Sequence, residues 1–179
     1  MKTTQILIAG FGGQGILFSG KFIAYKGLVE ELQVSWLPSY GPEMRGGTAN
    51  CNVILSDDPV GSPIITTPDV LIAMNAPSLQ KYVNTVVAGG QIYVDSSLID
   101  VKVERNDVQV FYIPATQMAK DNGIGTLANM IIVGHLLENH PELSFDGVEA
   151  VVESLVPAKK AALKELNMKA LNLGKNYKN

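Results

Sequence analysis

Cysteine is nearly absent from this chain: Cys51 is the only one among 179 residues. A single thiol closes no internal disulfide, and it cannot supply the four thiolates of an iron–sulfur cluster. Histidine is almost as scarce. His135 and His140 have no partner at metal-ligand spacing, which argues against a zinc site. There is no basic run, and the net charge is only −3, so nucleic acid and anionic membrane are poor partners. No apolar run approaches the roughly 20 residues of a membrane-spanning helix. No charged-then-apolar leader opens the chain, and the expectation is a cytoplasmic protein.

Glycine, by contrast, is plentiful, at 17 residues, and two clusters of it stand out. The first is Ile6-Leu-Ile-Ala-Gly10-Phe-Gly12-Gly13-Gln14-Gly15, followed by Ile16-Leu17. It reads as a buried strand, a turn and the start of a helix. Gly10, Gly12 and Gly15 fit the G-x-G-x-x-G spacing of a phosphate-binding βα turn. On this reading Gly10 permits the tight turn, Gly12 lets backbone amides approach a ligand, and Gly15 lets helix and strand pack closely. The helix start offers unpaired N–H groups and the positive end of a dipole to an anion. A nicotinamide dinucleotide would also need a carboxylate at the tip of the second strand. That strand, Val34-Ser-Trp-Leu, runs into Pro38-Ser39-Tyr40 instead, and Glu30 and Glu31 fall before it, on a solvated turn.

Along the chain, strands are expected over 5–9, 34–37, 48–56, 70–75, 91–95 and 108–113. Helices are expected over 15–29, 76–87, 115–120, 126–138, 145–155 and 158–173, the last with a solvated lysine face. Short apolar strands alternating with helices predict one α/β domain over 1–179, a three-layer sandwich with a mostly parallel central sheet. The link between strands two and three is too short and glycine-rich for a helix, so those strands are candidates for antiparallel pairing. Cys51 reads as a small strand residue. Asp95, at a strand tip, reads as a cap on the Ser96-Ser97 turn.

The second glycine cluster is Ser39-Tyr40-Gly41-Pro42-Glu43-Met44-Arg45-Gly46-Gly47-Thr48. Arg45 suits a phosphate or carboxylate and Tyr40 suits a base, but Tyr, Met and Arg also favour protein interfaces. Both readings stand.

The two clusters together, with the following Thr48-Ala-Asn-Cys-Asn-Val strand, resemble the gamma subunit of 2-oxoacid:ferredoxin oxidoreductases. Pro68 to Asn75, Pro114-Ala115-Thr116 and Asn129 to Gly134 extend the resemblance over nearly the whole chain. It implies one subunit of an enzyme that converts a 2-oxoacid and coenzyme A to acyl-CoA and carbon dioxide and reduces ferredoxin. It further implies alpha and beta partners carrying thiamine diphosphate and magnesium, with iron–sulfur clusters on beta or on a ferredoxin-like delta subunit. The Gly-Asp-Gly element of thiamine enzymes is absent here. Coenzyme A is the expected cosubstrate, met by Gly10, Gly12, Gly13, Gln14, Gly15, Tyr40 and Arg45, with Lys21 a second cation for its 3′-phosphate. The alternatives are a non-catalytic α/β assembly module and a nucleotide-dependent oxidoreductase.

Overall fold

The computed structural model describes residues 3–39 and 48–178. Its elements run β1 (Thr4–Phe11), α1 (Ile16–Val29), β2 (Gln33–Ser39), β3 (Thr48–Ser56), β4 (Val70–Ala73) and α2 (Ala76–Tyr82), which ends in a 3-10 turn, Val83–Thr85. They continue with β5 (Gln91–Asp95), β6 (Gln109–Ile113), α3 (Ala115–Asp121), α4 (Ala128–Asn139), α5 (Val148–Leu155) and α6 (Ala161–Asn176). The fifth helix begins three residues later than the sequence predicts, after a left-handed Gly147.

The six strands form one mixed sheet in the order β2-β3-β1-β4-β5-β6. Pairings β1–β4, β4–β5 and β5–β6 are parallel, while β2–β3 and β3–β1 are antiparallel. The α/β expectation therefore holds, and so does the antiparallel pairing of strands two and three. The inner strands β4 and β5 are buried on both faces, as parallel strands covered on both sides must be.

One face carries the larger core. Ile6, Ile8, Cys51, Val53, Ile72 and Tyr93 meet α1 and α4 there, with α6 packed outside α4. Sandwiched in this way, α4 buries ten of its residues, so it is apolar all round rather than on one stripe. The other face is covered by α2 and by the segment before β6, over Leu7, Leu71, Ile92 and Val94.

Close approaches set the packing. A Cβ on Gly20 would strike the Cys51 sulfur and lie 3.1 Å from Trp36 Nε1, and one on Gly27 would lie 2.5 Å from Leu55 Cδ2. These two bare positions, seven apart on one side of α1, bring the helix down onto β2 and β3. Gly134 and Gly174 do the same for α4 and α6. Each faces a backbone carbonyl of the other helix, Leu171 O and Ile131 O.

Glu30 is not on a solvated turn. It is the partner of Lys26, a lysine buried completely among α1 and its neighbours, and it also accepts from Ser144 Oγ at 3.1 Å. The lysines of α6 are likewise partly engaged: Lys169 Nζ donates to Asn122 O at 2.8 Å, and Lys175 lies over the Phe145 ring.

Deleting one half of a buried ion pair leaves an uncompensated charge, whereas Glu30 retains 27% side-chain exposure and can be hydrated alone. Glu30→Ala is expected to cost about 3–5 kcal/mol, and Lys26→Met roughly 0–2 kcal/mol, in urea unfolding. Equal costs would mean that Lys26 finds another partner.

Candidate functional site

The crossover helices single out one end of the sheet. α1 leaves β1 onto one face and heads for β2, while α2 leaves β4 onto the other face and heads for β5. The connections diverge between β1 and β4, and the crevice beyond the carboxyl ends of such strands is where open α/β sheets take ligands.

The glycine turn stands at that point. β1 extends to Phe11, so Gly10 is a strand residue paired with Ala49 rather than part of the turn. Its missing Cβ makes room for side chains: one built there would lie 2.6 Å from Gln14 Oε1 and 2.7 Å from Ile16 Cδ1. The reversal itself is made by Gly13 (φ +90°) and Gly15 (φ +75°), in the left-handed region that glycine enters freely. Space around Gly13 is open, with no atom within 4 Å of a built Cβ. Gly15 is crowded, but by Asn129 of α4, 2.5 Å from a built Cβ, and not by the strand.

Gln14 turns inward. Its Oε1 accepts from Phe11 N at 2.7 Å, and its Nε2 donates to Met74 O at 2.9 Å, tying the turn to the end of β4. Both ends of its amide are thus engaged in bracing the turn. Asn129, to which the sequence reading assigned no role, donates to Gly15 O at 3.1 Å and to Ser19 Oγ at 3.0 Å. Its sequence signals were its place at the start of an apolar helix and in the Asn129 to Gly134 run that carries the resemblance.

No side chain caps α1. Its first N–H groups are therefore free of a capping acceptor at Gly15 and face the turn. A hollow of about 270 Å³ opens here, lined by Phe11, Gly12, Gly13, Gly15, Ile16, Leu17, Phe18 and Ala49. That is below the roughly 300–1,000 Å³ of drug-sized ligand pockets. It suits a phosphate and its nearest atoms, not a whole cofactor. Larger hollows of about 440 and 400 Å³ lie elsewhere. One sits against α2. The other, with Asp69, Gln91 and Gln109, is at the opposite edge of the parallel strands, where such folds seldom place chemistry.

Tyr40 and Arg45 lie outside the described residues. The ends of their segment are described: Thr48 is the register partner of Phe11, and Ser39 pairs with Asn50. The β2–β3 connection thus starts and finishes at the same sheet edge as the glycine turn, a juxtaposition created by the antiparallel β1–β3 pairing. Lys21 is exposed on α1, 5.7 Å from the centre of the Tyr25 ring.

The remaining reactive side chains are structural. Cys51 is fully buried beneath α1, and burial pushes its thiol up to about 12. Asp95 is buried and accepts from Ser97 N at 3.1 Å, Thr116 N at 3.3 Å and Thr116 Oγ1 at 2.5 Å. It caps the turn, as its sequence context suggests, and also the start of α3. His135 packs edge-on against Tyr93, Phe111 and Tyr177, with Nδ1 3.0 Å from Gly174 O. Burial pushes its pKa down, against the pull of that carbonyl. His140 is lowered by burial too, with Glu142 opposing. Among the described residues, no group of three or more His, Cys, Asp or Glu could hold a metal ion.

An α/β chain with a braced, uncapped glycine turn at its topological switch point falls in the class of open α/β folds that take ligands beyond the carboxyl ends of their strands. A sequence profile of the family "Pyruvate ferredoxin/flavodoxin oxidoreductase" matches residues 5–177. The chain belongs to this family, and its fold is that of the family's gamma subunit. It is 40% identical over 136 residues to the ketoisovalerate oxidoreductase subunit VorA of Methanothermobacter marburgensis, covering 76% of this chain and 28% of that protein. It is 33% identical to the 2-oxoglutarate synthase subunit KorC of the same organism, covering 96% and 94%. The chain thus spans little more than a quarter of the ketoisovalerate relative's length but nearly all of the 2-oxoglutarate one. Among solved structures, the keto/oxoacid ferredoxin oxidoreductase gamma subunit of Geobacter sulfurreducens superposes with TM-score 0.81 and 31% identity, covering 96% and 95% of the chains. The 2-oxoglutarate:ferredoxin oxidoreductase of Magnetococcus marinus, solved with 2-oxoglutarate, coenzyme A and succinyl-CoA bound, superposes with TM-score 0.87 and 26% identity. That match covers 98% of this chain and 31% of the other. No helix among the described residues is long and apolar enough to cross a membrane.

Gly15→Ala meets both a left-handed backbone and Asn129, and Gly13→Ala meets only the backbone. Urea unfolding should show about 1–2 kcal/mol lost at Gly13 and roughly 3–5 kcal/mol at Gly15. Comparable losses would remove Asn129 from the account. The histidines set a pH dependence. Their folded pKa values lie below the usual value near 6.5, so the unfolded chain takes up protons first as pH falls. Stability is full above that value and declines as pH drops below it. His135→Phe should flatten the decline; an unchanged slope would clear His135.

Proposed function

We propose that this chain is the gamma subunit of a multisubunit 2-oxoacid:ferredoxin oxidoreductase. In that complex it carries the coenzyme A side of a centre that decarboxylates a 2-oxoacid oxidatively to acyl-CoA and carbon dioxide, with electrons passing to ferredoxin. The observation that carries the reading is the braced glycine turn with an uncapped helix start, in a chain that superposes on a coenzyme A-bound enzyme of this chemistry.

The residues present fit coenzyme A. The turn offers backbone N–H groups of Gly12, Gly13 and Gly15 and the positive end of α1 to a diphosphate. Gly10 and Gln14 shape the turn from behind. Tyr40 stacks on adenine, and Arg45 or Lys21 meets the 3′-phosphate. Phe11, Leu17 and Phe18 give the hollow an apolar lining beside the exposed Gly12 and Gly13. Coenzyme A, when bound, supplies the thiol that takes the acyl group. The hollow is too small to enclose all of it, so the 40–47 segment and a neighbouring subunit complete the site.

Thiamine diphosphate, magnesium and iron–sulfur clusters belong to the alpha and beta partners and to a delta subunit where one is present. The complex is cytoplasmic. Relatives named for 2-oxoglutarate and ketoisovalerate make these the first 2-oxoacids to assay.

The test is anaerobic affinity purification of the chain from its host, with partners identified by mass. A thiamine-binding pair is expected to co-purify. Recovery of the chain alone would sink the proposal. In the assembled complex, Arg45→Ala should raise the KM for coenzyme A about 10- to 100-fold, the range of a lost charged hydrogen bond. Failure of assembly would instead make Arg45 a subunit contact.

A further inference from the structure

The hydrogen bonds behind the glycine turn carry an inference about a residue far from it in sequence. Gly15 O receives three donors: Ser19 N at 3.0 Å, Ser19 Oγ at 3.2 Å and Asn129 Nδ2 at 3.1 Å. Asn129 Nδ2 also donates to Ser19 Oγ at 3.0 Å, so the three groups form a closed triangle. Ser19 is 1% exposed and Asn129 3%. Asn129 Oδ1 has no partner among the described residues, although it is buried. The fold therefore tolerates an unsatisfied oxygen to place this amide nitrogen against Gly15.

The direction of that pinning matters. The peptide joining Gly15 to Ile16 is planar and trans, so its C=O and N–H point in opposite directions. Holding Gly15 O inward, against α4, turns the Ile16 N–H outward, and Ile16 lines the hollow at the turn. A glycine at a left-handed N-cap would otherwise rotate easily. The requirement for glycine is itself partly due to Asn129, which fills the space a Cβ would need.

We propose that Asn129 is a positioning residue of the anion cradle: through Gly15 O and Ser19 it aims the first N–H groups of α1 into the hollow. It touches no ligand itself. This rests on the reading of the turn as the coenzyme A diphosphate site.

The experiment uses the intact complex and coenzyme A, with the dissociation constant from calorimetry beside KM and kcat. Asn129→Leu removes the donor at similar volume. Gly13→Asp places a carboxylate on the open face of the turn and tests the coenzyme A reading alone. The expectation for both is a dissociation constant and KM raised about tenfold or more, with kcat at saturating coenzyme A changed less than about threefold, because one lost hydrogen bond to an aligned donor set is of that order. His135→Phe, a core change on the far half of α4, should leave KM alone. If Gly13→Asp weakens binding and Asn129→Leu does not, positioning fails while the coenzyme A reading stands. If Gly13→Asp has no effect, the coenzyme A reading falls and takes this proposal with it. Should Asn129→Leu prevent assembly, Ser19→Ala decides: weaker binding by about threefold supports the triangle, and unchanged binding overturns it.

Discussion

The seating of α1 on the sheet is the constraint from which the rest follows. The helix lies against β2 and β3 only because Gly20 and Gly27 carry no side chain to meet Cys51, Trp36, Val34 and Leu55. That seat fixes the line of the helix axis, and so fixes where its N-terminus arrives. It also buries Cys51 and Lys26, which turns a thiol into packing and forces a lysine to recruit Glu30. The same device recurs one layer out. Gly134 and Gly174 bring α4 and α6 into backbone contact, and α4 in turn delivers Asn129 to the start of α1.

The turn is consequently a feature braced by its neighbours rather than a loose loop. Two left-handed glycines reverse the chain, one amide side chain braces it to β4 and another braces it to α4. The polar groups look inward and the apolar ones line the outer hollow, the reverse of a typical surface turn. Such an arrangement leaves backbone dipoles as the main polar feature of the outer side. Backbone dipoles of this kind attract negative charge through partial rather than full charges.

Much of the fold was legible in the sequence because its signals were local. Continuous apolar runs marked β4 and β5, and the short glycine-rich link marked an antiparallel pair. What was not legible depended on tertiary contact. Nothing local shows that β3 inserts between β2 and β1, yet that insertion brings Ser39 and Thr48 to the same end of the sheet as the turn. Gly10 matched a motif position, but β1 runs past it, and its bareness serves Gln14 and Ile16 instead. Gly15 fitted the motif for close helix–strand packing and was found against Asn129, more than a hundred residues away. Glu30 looked solvated because its partner, Lys26, is a residue type that is seldom buried. In each case the residue was noticed correctly and its neighbour was not.

β2 lies at the end of the sheet, and Pro38 sits within it, opposite Cys51. Proline brings no N–H, so the outer rim of the strand lacks one donor of the ladder that another strand would need. Long open rims of sheet are the places where proteins stick to copies of themselves. An interrupted rim therefore gives edge-to-edge pairing with a second copy of this chain a poorer start than an unbroken one, at the cost of a single residue.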